Sequence, residues 1–140
     1  DAHYVANARA WVTKLTAFLK DNIAKRMDLL DTEYDLEFRL IGVDATLGEL
    51  EAKTALPTEV GVLGIITAQS QETASEIGRL VNPWVLHYPL TQHEELPTFA
   101  FPHSPAHSDR GALFEFSLNH VLKLDDPLSA FTLDVTTVSQ

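Results

Sequence analysis

The residues best suited to chemistry lie in one polar loop and in the segment that follows it. The stretch from Phe99 to His120 reads FAFPHSPAHSDRGALFEFSLNH. The imidazole groups of His103 and His120 could move a proton, because histidine titrates near neutral pH. The planar guanidinium of Arg110 could hold a carboxylate or a phosphate through two parallel hydrogen bonds. We therefore locate the candidate site in this stretch.

Other interpretations of the same loop stay open on the sequence alone. His103 and His107 have the i, i+4 spacing of metal ligands on a helix, but Pro105 lies between them and no Glu follows His103. Ser104 could act as a nucleophile beside a histidine, although a serine in a proline-rich loop is ordinarily a turn residue. Arg110 could instead pair with its neighbour Asp109. We predict no metal and no cofactor.

Composition limits the class of protein. A chain of 140 residues is expected to form one domain. Its formal charge of −10 and its pI near 4.8 argue against binding to nucleic acid or to an anionic membrane. It has no cysteine, which suits a reducing compartment, and no apolar run of transmembrane length. We expect a cytoplasmic chain that is a piece of a larger protein.

A wide apolar surface is predicted on the first third of the chain. Apolar residues recur at three- and four-residue steps from His3 to about Leu30, which predicts one long helix. Tyr4, Trp11 and Phe18 form a second line at seven-residue steps. We predict that this line is an interface with a second copy or with another domain, because wide apolar patches usually mark interfaces. Alternatively, the helix wraps one end of a sheet.

The rest of the chain predicts a sheet and a second helix. Ser70 is a good N-cap for that helix, which Asn82 and Pro83 should end. Period-two alternation predicts that Phe114, Phe116 and Leu118 face a core. The predicted strands are Leu36–Val43, Val60–Thr67 (buried on both faces), Trp84–Tyr88 and Leu113–His120, with Leu133–Gln140 as an added edge strand. This order predicts an α+β, ferredoxin-like sandwich, with an antiparallel-rich sheet of four or five strands and both helices on one face.

Several motifs, taken in order along nearly the whole chain, resemble one known family. They are YDLEFRLIGV from Tyr34, EVGVLGI from Glu59, FPHSP from Phe101, the pair Arg110-Gly111, and FSLNH from Phe116. Together they resemble the C-terminal part of the acyclic terpene utilisation (AtuA) family. The resemblance implies that residues 1–140 are the small ferredoxin-like domain of a protein whose large domain carries the glycine-rich motifs.

The resemblance implies a role near the bacterial breakdown of acyclic terpenes and related acyl-CoA compounds. Since the large domain's motifs are absent, we expect no activity of the domain alone and predict a non-catalytic assembly domain. Its partner would be a second copy or the large domain. Alternatively, the chain contributes an anion-binding part to a shared active site. The ligand-binding candidates are Ser104, Arg110, Gly111 and Asn119, and His103 and His120 are the catalytic candidates.

Overall fold

The chain begins with helices, continues through a β-hairpin-like pair and returns to a helix. The computed structural model describes residues 1–51 and 56–138. In chain order its helices and strands are α1 (Ala2–Ala6), α2 (Ala8–Met27), β1 (Tyr34–Ile41), β2 (Gly61–Ala68) and α3 (Gln71–His87). Single 3₁₀ turns form at Gly48–Leu50 and Pro127–Ala130. The two strands are antiparallel, with Tyr34 opposite Ala68 and Ile41 opposite Gly61.

The core lies between α2, α3 and one face of the sheet. Leu15, Leu19 and Ile23 of α2 are fully buried, and so is Ile77 of α3. Their positions follow the four-residue step of a helix face, so the apolar stripe on α2 is the one that the sequence predicts. The same cluster is completed by Trp11 of α2 and by residues from the sheet, α3 and the segment after it, namely Tyr34, Leu36, Val81 and Leu90.

The predicted single helix from His3 to Leu30 is divided and ends early. Asn7 separates α1 from α2, and its Nδ2 donates to the His3 carbonyl at 2.8 Å. Asparagine side chains compete for backbone groups in this way, which explains the break. Asp28 ends α2 in the left-handed conformation, with φ 54°. Among the described residues, no helix combines the length and the apolar character needed to cross a bilayer.

The prediction that Asn82 and Pro83 end the second helix is wrong. Helix α3 begins where expected, since the Ser70 side chain accepts from the Thr73 N–H at 3.0 Å, but it continues through Pro83 to His87. The predicted strand Trp84–Tyr88 is therefore absent. Contacts with α2 account for the continuation, because the Trp84 ring lies 4.5 Å from that of Phe18. Packing of this kind outweighs the lost N–H of one proline.

The predicted ferredoxin-like sandwich with four or five strands is also wrong. Within the described residues the sheet has two strands. The segment Leu113–His120 has no regular structure and is exposed, and the same is true of residues 133–138; residues 139–140 of the predicted edge strand lie outside the described part. Alternation identifies a strand's two faces but not its hydrogen-bonding neighbour, so the pattern alone could not supply a partner. β2 is consequently half-buried or exposed rather than buried on both faces.

We predict that the stability of the fold depends on the α2 stripe. Leu19 is 0% exposed, and Leu19→Ala should lower the free energy of unfolding by about 2–5 kcal/mol, because the core would keep a cavity. Leu50 is 84% exposed, so Leu50→Ala should change the free energy of unfolding by less than about 0.5 kcal/mol. Urea denaturation followed by circular dichroism measures both. Equal losses in the two variants would contradict this core.

Candidate functional site

The candidate stretch begins inside the core. The ring of Phe99 lies 5.0 Å from that of Tyr4 and 5.5 Å from that of Trp11, both edge to face. Its backbone N–H donates to the Leu86 carbonyl at 3.2 Å. Edge-to-face pairs of this kind add to the free energy gained by burial. Phe99 therefore fixes the start of the stretch against α1, α2 and the end of α3. From Ala100 onward the described residues are exposed, apart from the half-buried Ala106 and Leu124.

The histidine and serine candidates lie in the exposed part of the loop. The Nδ1 of His103 is 2.8 Å from the carbonyl oxygen of Pro105 and donates to it, so the imidazole stabilises the loop's own turn. Within the described residues, Ser104 makes no hydrogen bond to His103 or His107. The arrangement lacks the nucleophile–base contact that acyl-transfer chemistry requires.

The end of the loop is fixed to the first turns of α3. The Ser75 hydroxyl donates to Asp109 Oδ1 at 2.9 Å, and the Gly111 N–H donates to Gln71 Oε1 at 3.2 Å. Gly111 has a φ of 74°, a conformation that glycine adopts without steric cost. Between these anchors Arg110 is exposed and, in the described part of the chain, forms no ion pair, with Asp109 included.

Beyond Gly111 the chain leaves the folded body; we call residues 112–138 the arm. The prediction that its alternating apolar residues face a core is wrong, since Phe114 is 89% and Phe116 100% exposed. Asn119 and His120 are exposed on the same arm. Hydrogen bonds of the arm, as far as the chain is described, are confined to the turn that begins at Asp126. The structure thus does not bring Asn119 or His120 to Arg110.

The described residues form no metal cluster, at these candidates or elsewhere. No three His, Cys, Asp or Glu side chains in that part of the chain come close enough to hold a metal ion. An open hollow of about 250 Å³ lies between the α1–α2 junction and Pro57. Another of about 510 Å³ lies within the arm, beside Phe131. Neither is lined by His103, Ser104 or Arg110, so the loop offers an exposed surface and not a pocket.

The line Tyr4, Trp11 and Phe18, predicted as an interface, makes contacts inside the chain. Trp11 is 3% exposed, and its Nε1–H donates to the Tyr88 carbonyl at 2.8 Å. Tyr4 and Phe18 are half-buried, the first against Phe99 and the second against Trp84 and Tyr88. Tyr88 and Phe99, in the segment after α3, therefore cover much of the apolar surface formed by Tyr4, Trp11 and Phe18.

A carboxylate that sequence reasoning missed organises this covering segment. Glu94 accepts from the Tyr4 hydroxyl and from the backbone N–H of Leu90, and it accepts from both the N–H and the hydroxyl of Thr91 at 3.1 Å. The Tyr4 hydrogen bond, more than the backbone donors, holds the pKa of Glu94 below its usual range despite desolvation. Burial, and then Glu94 itself, raises the pKa of Tyr4. The Nε2 atom of His3 lies 4.0 Å from Oε2 of Glu94.

Comparison of the chain with models of protein families, with curated proteins and with solved structures finds no match. The resemblance to the AtuA family therefore depends on the sequence motifs alone. Function has to be argued from the geometry of this chain.

The sequence pattern misassigned the arm as a strand of the sheet. Leu113, Phe114 and Phe116 are followed by further apolar residues interspersed with polar ones. Nothing in the pattern distinguishes a strand that packs on its own core from one that lies free of it. The distinguishing observation is the exposure of these side chains in the folded chain.

We predict that the Glu94 contacts make stability depend on pH. A carboxyl whose pKa is lower in the folded state stabilises the fold above its unfolded pKa, and this contribution is lost as pH falls through the folded pKa. The free energy of unfolding should therefore fall with pH from about 4.5 downward, and Glu94→Gln should flatten part of that fall. Denaturant titrations at a series of pH values measure the free energy of unfolding of both proteins. Glu95→Gln is the control, and an equal flattening in that variant would contradict the assignment.

Proposed function

We propose that the chain is a non-catalytic assembly module, which belongs to an AtuA-like protein of acyclic terpene or related acyl-CoA catabolism. The observation that carries the assembly role is the exposed apolar arm. Its exposed large apolar residues are Leu113, Phe114, Phe116, Leu118, Val121, Leu122, Leu128, Phe131, Leu133, Val135 and Val138. Contiguous exposed apolar surface of this kind is typical of a region that binds another protein.

The same chain offers little support for catalysis by itself. The His103 imidazole is bonded to its own loop, and Asn119 and His120 are exposed on the arm. A reaction needs a site that excludes water and holds a substrate in a fixed pose. The motif resemblance supports the metabolic setting, and the arm supports assembly.

We predict that the arm drives self-association. Light scattering over a concentration series should give twice the chain mass of 15.5 kDa for the natural sequence. The double variant Phe114→Ser, Phe116→Ser should remain at the monomer mass, because it removes aromatic surface that association would bury. Both rings are exposed in the folded chain, so the variant's thermal unfolding as a monomer should be unchanged.

The matched control is Leu50→Ser, which removes an equally exposed apolar side chain outside the arm. It should associate like the natural sequence. A natural sequence that stays monomeric at every concentration, or a double variant that associates normally, would overturn the assembly proposal.

A second candidate is anion binding at Arg110, in an active site shared with another domain. Its support is specific: the Asp109 carboxylate accepts from Ser75, and Arg110 forms no ion pair within the described residues. A guanidinium of this kind is suited to a carboxylate or to a phosphate of coenzyme A. The Gly111 N–H bond to Gln71 fixes the backbone beside it.

We predict that coenzyme A binds weakly through Arg110. Isothermal titration calorimetry should register a loss of about ten- to a hundredfold in affinity for Arg110→Ala, which corresponds to one or two charge-assisted hydrogen bonds. Arg79→Ala is the control, since Arg79 is also exposed but lies on α3. No binding by the natural sequence, or an equal loss in the control, would contradict this candidate.

A further inference from the structure

We propose that the arm of a second copy of this chain pairs with the open edge of β2 and extends the two-stranded sheet. This inference rests on the proposed assembly function and names the surface and the occupant. Three observations support it. The open edge of β2 belongs to a strand that is apolar on both faces, and the arm matches β2 in length and pattern. The arm also leaves the body on the side where β2 lies.

The open edge of β2 differs from the open edge of β1. The outer face of β1 carries Asp35, Glu37 and Arg39, and the last two form an ion pair with Nε and Oε1 2.7 Å apart. Charged side chains are the usual means by which an edge strand resists pairing. β2 instead carries Leu63 and Ile65 on that face and apolar residues on the other. Strands that are apolar on both faces ordinarily have neighbours on both sides.

The arm has the pattern that this edge requires. Residues 112–119 equal β2 in length, which is 8 residues. In antiparallel pairing with Phe116 opposite Gly64, the rings of Phe114 and Phe116 lie on the core face. Glu115 and Ser117 then lie on the outer, solvent face. Gly64 has no side chain, and the Phe38 ring lies over it, 3.1 Å from the place where a Cβ of residue 64 would be. Phe116 opposite Gly64 could therefore pack against the Phe38 ring.

The arm leaves the body on the β2 side. Its anchors are Gln71 and Ser75, which lie on one stripe of α3 together with Gly78, at i, i+4 and i+7. A Cβ at Gly78 would lie 3.9 Å from Ile66 of β2, so this stripe faces β2. α2 lies on the other side of α3, against Trp84. Two copies that bring their β2 edges together also bring each arm to the partner's edge.

A second copy supplies what the single chain leaves unpaired. Within the described residues, arm residues 112–124 make no hydrogen bond to their own body, and β2 pairs only with β1. An exchange about a two-fold axis satisfies both arms and both edges at once. Each arm brings two phenylalanine rings, so the rings alone would bury on the order of 600–1,000 Å² in a dimer. That is a large part of the area found in stable interfaces.

The test uses disulfide trapping between two single-cysteine variants, because the chain has no cysteine of its own. Leu63→Cys and Ser117→Cys copies are mixed and oxidised, and non-reducing electrophoresis detects the linked pair. The proposed register puts these positions opposite each other on the outer face, within the reach of a disulfide. The linked heterodimer should form several-fold more than with Leu118→Cys, which lies on the opposite face and leaves both phenylalanine rings in place, or than between Asp35→Cys and Ser117→Cys.

Each result bears on the proposal. Selective linkage between Leu63→Cys and Ser117→Cys copies supports arm exchange. Association by light scattering without selective linkage overturns the edge pairing and leaves the assembly function standing. A monomer without linkage overturns both. A double variant, Leu63→Cys with Ser117→Cys, that links within one chain and stays at the monomer mass overturns exchange between copies, because the arm would then occupy its own edge.

Discussion

The fold depends on the burial of one apolar stripe along α2. Leu15, Leu19 and Ile23 are completely buried, and everything else in the body is arranged to cover them. β1 covers one side, α3 covers the other, and the segment held by Glu94 covers the end near Trp11. A two-stranded sheet has little stability in water by itself, so the helices stabilise the sheet as much as the sheet covers the helices. Loss of the stripe would therefore affect all three elements together.

Sequence patterns predicted those parts of the fold whose signals are local. The four-residue steps of α2, the alternation of β1 and the Ser70 cap of α3 appear in the structure as expected. The errors arise where contacts between residues far apart in the sequence determine the local structure. Pro83 looked like the end of a helix, but the step from Ile77 to Trp84 continues the apolar face across it toward Phe18. Propensity is a weak prior that such packing overrides.

The sequence likewise predicted only the local features of the candidate site. The polar, turn-rich character of the loop ending at Gly111 followed from its composition. Its anchors on Gln71 and Ser75 could not be predicted in this way, because they join positions 40 and 34 residues apart. Period two in Leu113–His120 predicted that alternate side chains share one face of a strand, but the segment has no regular structure in the folded chain. Which surface that face covers is a tertiary question, and in the single chain it covers none.

The open edge of β2 and the arm both leave backbone groups and apolar side chains without a partner within the described residues. Exposed edges and exposed phenylalanine rings both favour association, and natural chains usually blunt such features with charge, as β1 does with Glu37 and Arg39. β2 has no charged side chain of this kind. The acidic surface, with a formal charge of −10, limits non-specific association through repulsion. Association therefore requires a contact that buries apolar area in register, which favours one specific partner over many.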